Sequence, residues 1–395
     1  MTKSINRRGF LNYGVKGLGL FAAGGLFRLP AAYSAQVQGA PFVSLEKLGE
    51  LLPPDANGVM LPPGFKSRVI ARSGKAPVGL PGYTWHAAPD GGACFATPDN
   101  GWIYVSNSEV RSNGGGVGAL RFDSAGNVVD AYSILANTSI NCAGGPTPWG
   151  TWLSCEEFAL GQVYECDPFG QKAARVLPAL GSFKHEAVAL DVTNQCLYLT
   201  EDEPEGGLYR FRPAQALPYL ESGVLEIASI QAREGISYIE WLPIGDAMAK
   251  AIPTRKQQAH AMMFRGGEGI AMYDQKVYFT TKHDNRVWCY DTTTHQLDVL
   301  YDFANSENPI LSGVDNVVIT AAGDVVVAED GGDMQLVVLT PGNRIIPLVQ
   351  VVGHQTSEIT GPAFDPSHQR LYFSSQRGSV GNSNGGITYE ISYAG

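Results

Sequence analysis

An all-β fold, a six-bladed β-propeller with a partly helical insertion between its third and fourth repeats, is what this sequence predicts, on three observations. Gly 47 and Pro 24 in 395 residues favour many short strands joined by turns over long helices. One phrase recurs: a turn carrying Asp, Gly or Asn, an apolar or aromatic strand, then Ser, Thr or Ala and usually a polar or acidic end. Its copies are DNGWIYVSNSE (99–109), WGTWLSCEE (149–157), NQCLYLTEDE (194–203), DQKVYFTTKHD (274–284), GDVVVAED (323–330) and HQRLYFSSQR (368–377). With Ile103, Trp152, Leu197, Val277, Val325 and Leu371 taken as equivalent, the spacings are 49, 45, 80, 48 and 46, the length of a four-stranded blade apart from one long interval.

Residues 1–35 read as a twin-arginine signal peptide: Asn6, Arg7, Arg8, Gly9, Phe10 and Leu11 precede a mildly apolar run to Leu29, and 31–35 offer small residues for cleavage. Lys16, Arg28 and several glycines make that run a poor membrane span. Without this segment, five basic residues and no acid are lost, and the net charge moves from -10 to -15. So acidic a protein excludes nucleic acid and anionic membranes as partners and suits cations. The expected location is periplasmic or secreted, after passage through the twin-arginine export machinery, as a monomer without stable membrane insertion.

Residues 36–60 form an extended lead with one short helical turn, and 61–395 the propeller. Most copies of the phrase are followed by another strand, at 118–122, 162–166, 207–211, 286–290 and 335–339. The early strand 65–71 can pair with the final strand 386–391 and so remove an exposed edge. The long interval accommodates the insertion, about 213–263, with a helix-like run at 245–252. A two-sheet sandwich is the rival fold, but it leaves the near-equal repeats unexplained. The cysteines, at 94, 142, 155, 166, 196 and 289, form no dense disulfide framework; buried free thiols are expected, with a Cys155–Cys166 bridge as the alternative.

The chemistry centres on NCAGGPTPWGTWLSCEE (141–157). Its glycines and prolines force a tight turn that presents Asn141 and Cys142, and the strand after it delivers Glu156 and Glu157. Two readings fit these residues alone: a mixed metal site with sulfur and oxygen donors, or a buried cysteine beside a solvated acidic turn. Equivalent strand ends would bring Asn107, Glu109, Glu156, Glu157, Glu201, Asp202, Glu203, Asp284, Glu329 and Asp330 to one level of the ring. Acids so close repel unless cations sit between them. Arg265, in a glycine-rich turn before Glu268, can grip an oxyanion or pair with a neighbouring acid. His185 and Glu186 begin the strand before the third repeat, as ligands or as hydrogen-bonded core groups. The chain has no nucleophile elbow, phosphate-binding loop or dinucleotide fingerprint.

The 141–157 stretch, with HEAVALD (185–191), LYLTED (197–202), Glu268-Gly269, VDN (314–316) and EITGPAFDP (358–366), resembles the PhoX-type alkaline phosphatases and their shorter relatives. The resemblance implies a propeller carrying a mixed iron and calcium cluster (Fe3+ and Ca2+) at one mouth, which hydrolyses phosphomonoesters outside the cytoplasm. It makes Cys142 the iron-binding thiolate and Asn141 a neighbouring oxygen ligand. Glu156 or Glu157, Glu201, Glu268 and Asp315 correspond to the metal-holding carboxylates, with Asp202 beside them, and Asn107 is similar to the family's first-blade asparagine. Cys142, Arg265 and Glu268 are the expected catalytic group, although the family's arginine stands two places before the glutamate, where this chain has Gly266. Two other functions fit the repeats: a calcium-dependent propeller lactonase or esterase, which has no use for Cys142, and a non-enzymatic periplasmic binding module.

Overall fold

The computed structural model describes residues 39–77 and 80–394; the twin-arginine segment lies outside the described residues. These are almost wholly β, with short 3-10 turns and no α-helix among them, and none of their helices is long and apolar enough to cross a membrane. The strands form where the recurring phrase predicts them: Trp102–Ser108, Trp152–Glu156, Cys196–Glu201, Lys276–Thr281, Val325–Glu329 and Arg370–Ser375. Apart from Lys276, Tyr278 and Arg370, every residue of these six strands is buried. A strand covered on both faces reads as a continuous apolar run, not as an alternation.

Four sheets are blade-like, with four or five antiparallel strands each. The fifth has nine strands, running from His185–Asp191 through the hairpin Gly223–Arg233 and Ile236–Pro243 to Gln296–Asp302 and back to Gly267–Tyr273. Its two end strands lie side by side, so this sheet curls into a nearly closed barrel. The six-bladed propeller with a partly helical insertion is therefore corrected. The strands holding Leu197 and Val277 share one sheet, because Ser237 and Tyr238 of the insertion pair with Leu297 and Gln296 and weld its halves together.

The insertion is a hairpin followed by turns and a 3-10 turn at Thr254–Lys256. The run 245–252 was the helical candidate, but Pro243, Gly245 and Pro253 bracket it. So short a segment does not repay helix nucleation. The lead also lacks its helical turn; Phe42 and Leu45 are instead buried against the last two sheets, with Leu45 N–H donating to Asp324 Oδ2 at 2.7 Å.

The early strand does pair with the last: Phe65–Arg72 runs antiparallel to Ile387–Tyr393, from Phe65 opposite Tyr393 to Arg72 opposite Ile387. All six cysteines are free; Cys155 faces Val163 and Cys166 faces Trp152 across the same strand pair, so the alternative bridge has no register. Apolar layers join neighbouring sheets. In one, Ile103, Val105 and Ala119 pack with Trp152 and Cys166; in another, Tyr104 and Phe122 pack with Tyr372.

What positions the site is the set of strands facing the common centre. Pro89–Ala96 lies beside Asn141–Pro146 and Ile359–Phe364, His185–Asp191 beside Asn141–Pro146 and Gly267–Tyr273, and Val314–Ile319 beside Gly267–Tyr273 and Ile359–Phe364.

Candidate metal centre

Each centre-facing strand breaks register with its partner at the same point. The shifts fall between Pro89 and Gly92, Asn141 and Gly144, His185 and Val188, Gly267 and Ile270, Val314 and Val317, and Thr360 and Ala363. At each, one extra residue enters the centre-facing strand, a β-bulge, which leaves that residue unpaired and re-aims its side chain. The residue just after the last regular pair is Asp90, Cys142, Glu186, Glu268 or Asp315 in five strands and Gly361 in the sixth. A small residue follows four of the five donors. At Gly91 a Cβ would lie 2.5 Å from the Ala143 backbone, and at Gly269 2.5 Å from Val317 N, so these glycines let adjacent strands approach closely.

The bulges bring donors together. Cys142, Glu157 and Glu186 form one trio, Glu186, Glu268 and Asp315 a second, and Asp90, Glu109 and Glu358 a third; within each, one donor atom per residue lies within 4.8 Å of the others. Glu186 belongs to two trios and is fully buried. Its Oε1 accepts from the Cys142 thiol at 3.2 Å, while Oε2 is buried with no partner. Leaving a buried carboxylate oxygen bare is costly, and a shared cation is what this donor set would satisfy. Gln376 Nε2 donates to Asp90 Oδ2 at 2.5 Å and Glu109 Oε2 at 2.8 Å, and Arg377 pairs with Glu358 at 2.7 Å.

Burial pushes the carboxyls of Asp90, Glu186, Glu268, Asp315 and Glu358 well above the usual range, and repulsion from neighbouring acids adds to it; Lys282 opposes it at Glu268. Glu157 is raised to about 7 by burial, against the pull of Lys184. Burial also raises the Cys142 thiol, reinforced by Asp90 and Glu186. A cation bound among them would compete with protons for these groups.

Of the sequence-predicted residues, Cys142, Glu157, Glu268 and Asp315 meet in the trios, as does Glu109 of the converging strand ends. Glu156 and Glu201 do not. Glu156 accepts from Ser139 N–H at 3.0 Å and Gln162 N–H at 3.3 Å, and Glu201 from Gly207 N–H, Tyr209 O–H and Arg255. Asn107 donates to the Cys142 and Ala143 carbonyls and accepts from Trp152 Nε1 and Ser154; Asn141 is held by Thr138 and Ser154. Both asparagines brace the bulge from behind. Asp202 is buried with Lys184 Nζ 2.6 Å away; burial alone would raise it, but Lys282 and Lys184 hold it below the usual carboxylate range. Arg265 is exposed and makes no ion pair among the described residues.

Sequence reasoning left Glu186 open and missed Asp90 and Glu358, together with Lys184 and Lys282. A signal for Asp90 and Glu186 was available: an acid or thiol followed by a small residue, near the start of the strand before four of the six recurring phrases.

A profile of the family described as alkaline phosphatase PhoX matches residues 104–161 and 158–378. No curated protein matches. Among solved structures, a protein of unknown function from Bacteroides thetaiotaomicron superposes with a TM-score of 0.52 at 11% identity, over 83% of this chain and 76% of that one. A gluconolactonase from Xanthomonas campestris gives 0.46 at 12% identity, over 88% and 99%, and a luciferin-regenerating enzyme 0.46 at 15%, over 84% and 96%. The first of these likenesses concerns the fold alone. With the family profile spanning most of the sequence and three donor trios at the centre of the fold, the chain belongs to the alkaline phosphatase PhoX family, as a metal-associated hydrolase.

Proposed function

We propose that this protein is an exported phosphomonoesterase working with iron and calcium. Cys142, Glu157 and Glu186 would hold the iron, through a thiolate suited to a transition metal. The all-oxygen sets, Glu186 with Glu268 and Asp315 and Asp90 with Glu109 and Glu358, would hold the harder calcium. The observation that carries this reading is Glu186: fully buried, shared by two trios, and with one oxygen lacking any protein partner. Bound cations supply charge neutralisation and Lewis acidity, which phosphate monoesters require because their uncatalysed hydrolysis is among the slowest known.

The chain's own residues set the conditions. The bulges fix the donors before substrate arrives. Cations bound among the buried acids would make the centre attractive to a phosphate dianion, so substrate binding would follow metal loading. Lys184 and Lys282 stand partly exposed beside Glu157 and Glu268, and Arg265, exposed on the turn before Glu268, remains a candidate for guiding the anion. Export through the twin-arginine route by residues 1–35 would deliver the enzyme already folded.

The test is Cys142→Ser, which replaces a potential thiolate with a hydroxyl that stays protonated near neutral pH. Elemental analysis of natively exported protein should show iron lost and calcium at least partly retained. Far-ultraviolet circular dichroism should be unchanged, and hydrolysis of a chromogenic phosphate ester should fall by about 100-fold or more. Wild-type protein without iron, or a variant as active as wild type, would overturn the reading.

A further inference from the structure

The residue following each second strand is an acid or an amide at every place but one. It is Glu109, Glu157, Asp202, Asp330 and Gln376 after five of them, and Lys282 after Lys276–Thr281. Lys282 Nζ lies 2.8 Å from Glu268, 3.6 Å from Asp330 and 3.9 Å from Asp202. Its side chain is 28% exposed against 2% for Glu268, so the lysine reaches from partly solvated surroundings to a buried acid. Glu268 belongs to a donor trio. A divalent cation taken up by that trio would stand within a few ångströms of the ammonium and repel it. The four-carbon stem of lysine lets the head move while its root stays fixed. Of the two acids left to it, Asp202 already has Lys184 at the closer distance of 2.6 Å.

We propose that Lys282 is an anion-binding residue of this site: a tethered cation that pairs with Glu268 while the carboxylates hold no metal, and contacts the anionic oxygens of a phosphate group once they do. This rests on the phosphatase reading above and adds to it the residue that meets the substrate's charge, a role the sequence suggested for Arg265.

Calorimetry decides it. Calcium chloride is titrated into metal-stripped wild type, Lys282→Gln and Lys282→Arg, and inorganic phosphate into the calcium-loaded forms. Lys282→Gln should bind calcium about tenfold more tightly, because the internal competitor is gone, and phosphate about tenfold more weakly; Lys282→Arg should keep phosphate binding near wild type. A second measurement needs no variant: the reactivity of the Lys282 amine in wild type toward an acylating reagent, read by mass spectrometry, should rise on calcium loading and fall again on adding phosphate. Unchanged calcium affinity in Lys282→Gln, unchanged phosphate affinity, or unchanged amine reactivity overturns the proposal and leaves Lys282 a structural ion-pair residue. Wild type that binds neither calcium nor phosphate overturns the phosphatase reading itself.

Discussion

Glu186 and Glu201 show how much a single position decides. Both are buried glutamates in strands of one sheet, and they begin and end the same strand pair, with His185 opposite Glu201. Glu201 has every oxygen satisfied by Gly207, Tyr209 and Arg255, whereas Glu186 has one oxygen bare. A bound cation is therefore expected to matter far more at Glu186. Glu186→Gln keeps the volume but removes the charge that two trios share. Calcium and iron contents should both fall, and ester hydrolysis should drop by about 100-fold or more; full metal content by elemental analysis would show Glu186 to be a buried, protonated spacer.

At the scale of the element, the recurring unit is a bulged strand and the strand after it, whose ends divide their labour. Glu156, Glu201 and Glu329 each close a strand, and each accepts from the backbone N–H six residues on, at Gln162, Gly207 and Gln335. The first acid of each pair thus ties down the following turn, and the next residue, Glu157, Asp202 or Asp330, pairs instead with a lysine, Lys184 for the first two and Lys282 for the third. Alternation along a strand accounts for the division. Glu201→Gln should then act on stability: breaking the buried pair with Arg255 costs about 3 kcal/mol, seen as a lower denaturation midpoint, with calcium content unchanged. Loss of calcium in that variant would put Glu201 among the ligands.

Across the whole molecule, the centre concentrates acids whose carboxyls are raised by burial. Such groups bind more protons folded than unfolded, so their contribution to metal-free stability is greatest at low pH. It declines as pH climbs from the ordinary carboxylate range, near 4.5, through the folded values, which for Glu157 and Glu329 reach about 7. Metal-stripped protein should melt several degrees lower at pH 7.5 than at pH 5.5, and millimolar calcium should abolish most of the difference by taking the protons' place. A melting temperature insensitive to pH and calcium in scanning calorimetry would deny the centre its cations.

The strands and their order were legible in the sequence, because an apolar run flanked by turn residues specifies local structure through neighbours a few positions away. So were the closing pair of Phe65–Arg72 with Ile387–Tyr393 and the convergence of Cys142, Glu268 and Asp315 on trios that share Glu186. The joining of two repeats into one nine-stranded sheet was not, since it depends on Ser237 and Tyr238 meeting Gln296 and Leu297 across about sixty residues of chain, a contact that no local pattern encodes. Nor was the choice between Glu156 and Glu157, or the placing of Asp90, Glu186, Glu358 and Lys282 around one centre. Those follow from bulges that turn a side chain only after two strands have paired, and from electrostatics that exist only when distant acids are packed within a few ångströms of one another. The sequence by itself determined which residues could do chemistry; the tertiary structure alone decided which of them meet at one centre and which spend their hydrogen bonds bracing the strands around it.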